Sequence, residues 1–229
     1  ENKKLESISL PRANYGTINQ AATTLKKAML AHQSTLYVFV KSKSSAADQI
    51  YYDIEDKAVS VTDNPIEGDY MFWDISSRDV SYRAQKENGY YMYQFLIKIK
   101  YFTTLEQRNQ VDDKVNQIIA ELGFTSETTD YEKVKAVYDY VCKHVTYAQS
   151  LDDEIVFTAY SALYNGEAVC QGYAQLMYRI LKQLGISVRV IPGYGKDKTV
   201  RHGWNIVKLG DYYYNLDATW DSQLSQAGI

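Results

Sequence analysis

Along the first hundred residues, segments with apolar residues at helical spacing take turns with segments typical of strands. Behind a capping box at Thr17–Gln20, apolar residues recur at helical spacing, which predicts an amphipathic helix. The run from 35 to 41 is typical of a short buried strand, and a weaker helical pattern covers 46–59. From 69 to 102 the texture is that of strands, with Asn88-Gly89 as a tight hairpin turn. We therefore predict an α+β fold for the first hundred or so residues.

Longer helical patterns follow. Thr103–Glu106 and Thr129–Glu132 both fit capping boxes, and apolar residues continue at helical spacing behind each of them. Gly123 is placed to end the first of these two helices. We place a domain boundary near Ser126, which gives an N-terminal α+β domain of unknown role at 1–126 and a second domain at 127–229. No linker rich in proline, glycine or serine marks this boundary, so we expect the two parts to pack on each other.

The last third of the chain is predicted to be one helix followed by three strands. Residues 171–184 carry apolar positions at helical spacing, and Gly185 is suited to the C-terminal cap. Apolar runs at 188–191, 203–209 and 212–217 predict strands. The second domain is therefore also predicted to be α+β.

Composition narrows the range of partners. The formal net charge is -3, with acidic and basic residues mixed along the chain, which argues against a nucleic-acid surface or a polybasic membrane patch. No apolar run reaches the roughly 20 residues that span a bilayer. The 22 tyrosines suit strands with one buried face and one polar tip, and equally suit a wet binding surface.

The candidate chemistry begins at Cys170, one of two cysteines, which lies where a turn becomes a helix. The unpaired N–H groups and partial positive charge of a helix start favour a thiolate. Further along the chain come His202, in RHGWNIVKL, and Asp217, in YYYNLDATW. This order predicts a nucleophile, a base and a residue that orients the base.

The spacing of the last two strands brings the imidazole and the carboxylate together. If Gly210-Asp211 is a two-residue hairpin turn, Leu209 pairs with Tyr212. Continued along both strands, this register predicts further pairs: Trp204 with Asp217, and His202 with Thr219. The side chains of His202 and Asp217 then lie diagonally on one face of the ribbon, within reach of each other.

Each residue also has a structural interpretation. A lone cysteine at an apolar helix start is usually a small core residue, and Cys142, inside a helix, is the better example. His202 alone fits a hydrogen-bonded strand histidine, and Asp217 alone fits an acid that bonds to backbone. A disulfide between the two cysteines is disfavoured, since one pair makes no disulfide framework. The joint occurrence of Cys170, His202 and Asp217 in this order favours a triad.

The segment from about Tyr131 to Asp221 resembles the transglutaminase-like domain, a branch of the papain-like thiol enzymes, and bacterial members are the most similar. The resemblance is carried by AVCQGYA, by HGWN and by DATWD. It implies a core in which a helix that carries the cysteine packs on an antiparallel sheet that carries the histidine and the aspartate. By this resemblance Cys170 is the nucleophile, His202 the general base and acid, and Asp217 the residue that orients His202.

The reaction that the resemblance implies is acyl transfer through a thioester. Tyr160 is a weak candidate for a second oxyanion donor, and Gln171 and Trp204 are weak candidates for the walls of a cleft. For these three, packing around the triad is at least as good an interpretation. Animal transglutaminases use calcium, but the chain has no loop dense in acidic and amide residues at ligand spacing, so we propose no metal and no other cofactor.

Three functions stay open at this point. The first is hydrolysis of peptide or isopeptide amides by a bacterial secreted or surface protein, with a protein or peptide substrate such as a cell-wall peptide. The second is crosslinking or deamidation of protein glutamine by the same residues, and the third is a scaffold or binding module without catalysis. The start at Glu1 favours a processed, exported protein, a cytoplasmic location being the alternative. The chain ends eight residues after Asp221, so we expect a truncated domain or further domains.

Overall fold

The structure is a computed structural model that describes residues 3–4, 10–11, 13–195 and 199–226. It divides into two compact units, the first made of 1–61 and 75–101 and the second of 62–74 and 102–229. In chain order the elements are β1 (Lys3–Lys4), α1 (Ile18–Leu30), β2 (Thr35–Ser42), α2 (Ala47–Ala58), α3 (Asp69–Trp73), β3 (Ile75–Glu87), β4 (Tyr90–Tyr101), α4 (Leu105–Leu122), α5 (Asp130–His144), β5 (Thr146–Tyr147), a 3-10 turn (Glu154–Phe157), α6 (Ala159–Tyr164), β6 (Glu167–Ala168), α7 (Cys170–Gln183), β7 (Val188–Tyr194), β8 (Arg201–Leu209), β9 (Tyr212–Leu216) and α8 (Ala218–Gln226).

The first unit is a four-stranded sheet, in the order β1-β3-β4-β2, with α1 and α2 packed together and α1 packed on β2. Thr17 and Gln20 form the predicted capping box at the start of α1. Asn88 and Gly89 both have positive φ and join β3 to β4 as the predicted hairpin turn. The α+β prediction is confirmed for this part of the chain.

The second unit is built around α7. All of its residues from Gly172 to Lys182 are buried, and α7 packs on α3, α5, α6, β7 and β8. Strands β7, β8 and β9 form an antiparallel three-stranded sheet in chain order. The expected arrangement, a helix carrying the cysteine packed on an antiparallel sheet, is present. None of the helices in the described part of the chain is both long enough and apolar enough to cross a membrane.

Two local predictions are wrong. Asp69–Trp73 is helix α3 rather than part of a strand. The N-cap of α4 is Thr104, which forms a capping box with Gln107, one residue later than predicted. Thr103 has another partner, since its backbone N–H and its hydroxyl both donate to the buried carboxylate of Asp74.

The compact units do not follow the predicted boundary near Ser126. Helix α4 packs against α6 and α7 and lies in the second unit, as does the segment 62–74. The apolar face of α4 supplies Val111, Val115 and Ile118 to the core of that unit. The division into domains of different role stays a prediction.

The hairpin between β8 and β9 has the predicted turn and a shorter ladder. Leu209 pairs with Tyr212, as predicted, but the pairing ends where Asn205 faces Leu216. The expected pairs of Trp204 with Asp217 and of His202 with Thr219 are therefore wrong. Asp217 follows the last strand residue, and the chain turns into α8 at Ala218.

Candidate active site

Cys170 is the first residue of α7, and its helix begins without a side-chain cap. The N-cap residue, Val169, has no side chain that could accept from the first turn. In contrast, Thr129 caps α5 with a complete capping box. Because the first N–H groups of a helix have no partners within it, the N–H groups of Cys170 and Gln171 are directed at the space around the thiol.

The start of α7 is held by close packing at Gly172. A Cβ atom on Gly172 would lie 2.8 Å from the carbonyl oxygen of Thr158 and 3.0 Å from that of Val156. Carbonyl oxygens of the backbone cannot give way as the end of a flexible side chain can. Glycine at this position is therefore what lets the helix start approach the chain at 156–158.

Burial raises the pKa of the Cys170 thiol above its ordinary value, and the charge of Asp217 acts in the same direction. Hydrogen bonds from the backbone N–H groups of Gly203, Gln171 and Cys170 itself oppose this rise in pKa. The balance differs from the expectation that the helix start alone would favour the thiolate. The free thiol is therefore predominantly protonated at neutral pH, and forming the thiolate requires a base.

His202 and Asp217 are in direct contact. The distance from His202 Nε2 to Asp217 Oδ2 is 2.6 Å, and the histidine side chain is 11% exposed. The backbone of Asp217 also has a partner, since the Tyr138 hydroxyl lies 3.0 Å from its carbonyl oxygen. The same hydroxyl lies 2.7 Å from Asp221 Oδ2. The sequence prediction that these two side chains meet is correct, although the strand pairing expected to bring them together does not extend that far.

The contact with Asp217 fixes how the imidazole is used. Trp220 Nε1 also lies 3.2 Å from His202 Nε2, but one nitrogen cannot both donate a proton to the carboxylate and accept one from an indole. The contact with Asp217 is shorter and involves a charge, so we assign the Nε2 proton to it. Nδ1 is then the nitrogen of His202 left for another partner.

Cys170 and His202 line one cleft, with a volume of about 480 Å³. Its lining side chains are mostly apolar or aromatic, and the backbone of α7 and of the β7–β8 pair contributes the rest. The lining residues are Trp73, Phe157, Cys170, Gln171, Val190, Pro192, Gly193, Tyr194, Arg201, His202 and Gly203. A Cβ atom on Gly203 would lie 4.0 Å from the Cα atom of Gln171, which places β8 against the start of α7.

Residues 117–218 match the model of the transglutaminase-like superfamily. The chain contains a transglutaminase-like domain. The match begins inside α4, ahead of the predicted domain start at 127, and ends just after Asp217.

Two curated relatives are similar to part of the chain. Human kyphoscoliosis peptidase is 27% identical over 137 residues, which cover 54% of this chain and 20% of the peptidase. Cytokinesis protein 3 of Schizosaccharomyces pombe is 26% identical over 106 residues, which cover 42% of this chain and 12% of that protein. The chain thus spans a fifth or less of the length of these relatives. A crystal structure of a TGase covers 63% of this chain and 45% of its own, with 18% identity and a TM-score of 0.44.

The three weaker candidates for the transglutaminase-like site lie in different places. Gln171 lines the cleft, and its side-chain amide donates to the carbonyl of Trp73 over 2.8 Å. Trp204 stacks beside His202, with 5.9 Å between ring centroids, and its indole lies over Gly193. Tyr160 is not among the residues that line the cleft in the described structure, because its ring stacks on Tyr164 and packs against the core.

Several cleft residues were missed by the sequence interpretation. Trp73 lies at the end of α3, in a segment that was predicted to be strand. A bidentate ion pair between Asp69 and Arg189 joins α3 to β7, and the N–H of Val190 also donates to Asp69. The acid at the start of α3 and the arginine on β7 are 120 residues apart, so no local pattern links them.

Tyr194 and Arg201 were missed for another reason. Both lie beyond the predicted ends of β7 and β8, which the structure extends to Tyr194 and back to Arg201. Trp220 was visible as part of DATWD, but its contact with His202 depends on the turn of the chain into α8.

Proposed function

We propose that this protein catalyses acyl transfer on peptide or isopeptide amides through a thioester on Cys170, with hydrolysis as its main reaction. The observation that carries the proposal is a single cleft lined by the thiol and by an imidazole whose Nε2 is bonded to a carboxylate. Nucleophile, base and orienting group are the three parts that this chemistry needs.

His202 acts first as the general base. Nε2 donates to Asp217, which leaves the lone pair of Nδ1 to take the proton from the Cys170 thiol. The resulting imidazolium is stabilised by Asp217. Because burial keeps the thiol protonated in the free protein, this transfer belongs to the step in which the substrate carbonyl is attacked rather than to the resting state.

The thiolate sulfur forms a bond to the amide carbon, and the carbonyl oxygen becomes an oxyanion. The N–H groups of Cys170 and Gln171, at the uncapped start of α7, are the donors placed to stabilise it. The C–N bond then breaks as the amine takes the proton from His202, which leaves a thioester. Water, deprotonated by His202, attacks the thioester and releases the acid and the free thiol.

An amine in place of water would turn the same thioester into a crosslink, so the triad alone does not choose between the two reactions. Hydrolysis is favoured by the name of the human relative, a peptidase. Crosslinking or deamidation of glutamine is the alternative, and a scaffold module without catalysis is the third function. An apolar cleft that leads to the thiol supports chemistry over a purely structural role.

A product assay separates these possibilities. The chain is incubated with a peptide mixture that includes cell-wall peptides and glutamine-containing proteins, with and without an added amine, and the products are identified by mass spectrometry. New peptide ends that are absent with Cys170→Ala support hydrolysis. Amine adducts support crosslinking, and a mass gain of about one dalton on glutamine supports deamidation. Absence of all three products with the folded wild-type chain contradicts the proposed enzyme function. A secreted or surface location in a bacterium stays a prediction.

A further inference from the structure

We propose that the outer end of the cleft is a carboxylate-binding subsite, in which Arg201 beside Tyr194 selects substrates that carry an acidic group close to the attacked amide. The reaction at that amide rests on the function proposed above. The binding preference stands on the placement and charge of these residues alone.

The subsite exists because β7 and β8 continue beyond the start of α7. Side chains two residues apart on a strand share a face, so Val190, Pro192 and Tyr194 follow one another along one side of β7. Gly203 and Arg201 share a face of β8 in the same way. All five residues line the cleft, and Tyr194 lies directly opposite Arg201 in the strand register.

The distance from the thiol follows from the strand geometry. A Cβ atom on Gly203 would lie 4.0 Å from the Cα atom of Gln171, which places this point of β8 beside the start of α7, where Cys170 lies. Arg201 lies two residues away along the strand, so its Cα atom is about 7 Å from that of Gly203. An extended substrate advances at about 3.3 Å per residue, so the long arginine side chain reaches a group one or two residues from the attacked carbonyl.

The positive charge in the cleft favours an acidic group on the substrate at this position. Of the described lining residues, Arg201 alone has a permanent charge, and none has a carboxylate. Arg189, on the neighbouring strand, is neutralised by Asp69, whereas Arg201 forms no ion pair with any residue that the structure describes. Arg201 is exposed, so a substrate carboxylate would form a solvent-screened ion pair with its guanidinium at the edge of an otherwise apolar cleft.

The walls of the cleft add a preference for an apolar substrate side chain. Trp73, Phe157 and Pro192 line the same cleft and offer aromatic and aliphatic surface. A substrate segment that fits has an apolar side chain next to the acidic one. The carboxylate can belong to an Asp or Glu side chain or to the C-terminus of a peptide, since both present the same two oxygens.

The test measures binding without chemistry. Peptides are labelled with a fluorophore and made in matched pairs that differ only by Glu or Gln within two residues of a central amide, with an apolar neighbour. Their affinity for the Cys170→Ala chain is measured by fluorescence anisotropy at low and at high salt. Peptides that end in a free acid or in an amide form the second arm, which separates a C-terminal carboxylate from a side-chain one.

We expect the acidic peptides to bind about fivefold more tightly at low salt and by a smaller factor at high salt, as for a partly exposed ion pair. Arg201→Gln in the same background removes the preference, and Arg201→Lys keeps part of it. Lys208→Gln is the matched control, because it deletes the same charge at the other end of β8 and should leave the preference intact. Equal binding of the Glu and Gln peptides in the first arm, together with equal binding of the acid and amide peptides in the second, overturns the subsite.

Cleavage by the chain with an intact thiol is measured in parallel. Acid-selective binding without cleavage of any peptide supports the subsite and contradicts the proposed hydrolysis. Cleavage of Glu and Gln peptides at equal rates, with equal binding, supports the hydrolysis and overturns the subsite.

Discussion

The two cysteines of the second unit are both free thiols, yet their surroundings differ in kind. Cys142 lies inside α5, and its sulfur is 3.7 Å from the carbonyl oxygen of Ala218, which accepts from the thiol. Cys170 begins α7, where the backbone N–H groups of Gly203, Gln171 and Cys170 itself act to lower the pKa of its thiol. Burial raises the pKa of both thiols, but the second site supplies donors that stabilise negative charge, and a cleft. Position relative to a helix start therefore matters more than burial for what a cysteine can do.

The largest effect on activity should come from replacing the cysteines one at a time. Cys170→Ala is expected to lower kcat/KM for amide hydrolysis by about a thousandfold or more, because no other group in the proposed mechanism attacks the carbonyl. Cys142→Ala, the matched control, should retain activity within about threefold and lose some stability, since it removes a buried sulfur. Steady-state kinetics with a peptide substrate checks both. Full activity of the Cys170 variant would remove the distinction between the two sites.

A smaller loss of activity is expected from replacing residues that contact His202. Asp217→Asn keeps the shape of the side chain but removes the charge that stabilises the imidazolium, so kcat should fall by about a hundredfold or more with little change in KM. Trp204→Phe changes a ring beside His202 without altering the contact between His202 and Asp217, and it should cost far less activity. Rates for Asp217→Asn that equal those of the wild type would show that His202 needs no orienting carboxylate.

The start of α7 can be tested through stability. Gly172→Ala places a Cβ atom 2.8 Å from the backbone carbonyl of Thr158, so we expect the free energy of unfolding to fall by about 1–3 kcal/mol. Gly203→Ala is the comparison, because its Cβ atom would meet its nearest neighbour at 4.0 Å. Denaturant unfolding of both variants measures the difference. Equal stability would mean that the helix start is not held where the cleft requires it.

The last prediction concerns the pH dependence of the buried thiol. Burial raises the pKa of Cys142 to about 11, so its thiolate fraction, and with it the rate of alkylation, should still rise about tenfold for each pH unit between pH 8 and pH 10. Mass spectrometry of the peptide that contains Cys142 follows this rate. A rate that levels off below pH 9 would contradict a thiol with a raised pKa.

Much of the fold was predictable because its signals are local. The capping boxes at Thr17 and Thr129 and the turn at Asn88-Gly89 each depend on residues within a few positions of one another, and all three are present. The cap of α4 was predicted at Thr103 and found at Thr104, because Asp74, 29 residues away, takes the hydroxyl of Thr103. A distant partner can decide between two adjacent threonines, and the local pattern does not contain that information.

The candidate site divides in the same way. The contact between His202 and Asp217 was predicted from the spacing of a hairpin, and the turn at Gly210-Asp211 is correct. The walls of the cleft were not predictable, since Trp73 lies at the end of α3, its carbonyl accepts from the side-chain amides of Gln171 and Gln175, and an ion pair joins α3 to β7 across 120 residues. Long-range contacts place the walls and bring β8 against the start of α7, whereas the contact between His202 and Asp217 follows from a local hairpin.

Competition between the two thiols for a small reagent is the most direct measurement of the difference between them. The chain is treated with limiting iodoacetamide at pH 7, and the two cysteine-containing peptides are quantified by mass spectrometry in the wild type and in His202→Ala. We expect Cys170 to react at least about tenfold faster than Cys142, and His202→Ala to remove most of that advantage, because the base that takes the thiol proton is gone. Equal rates at the two cysteines, or an advantage of Cys170 that is the same without His202, would contradict a nucleophile activated by an imidazole.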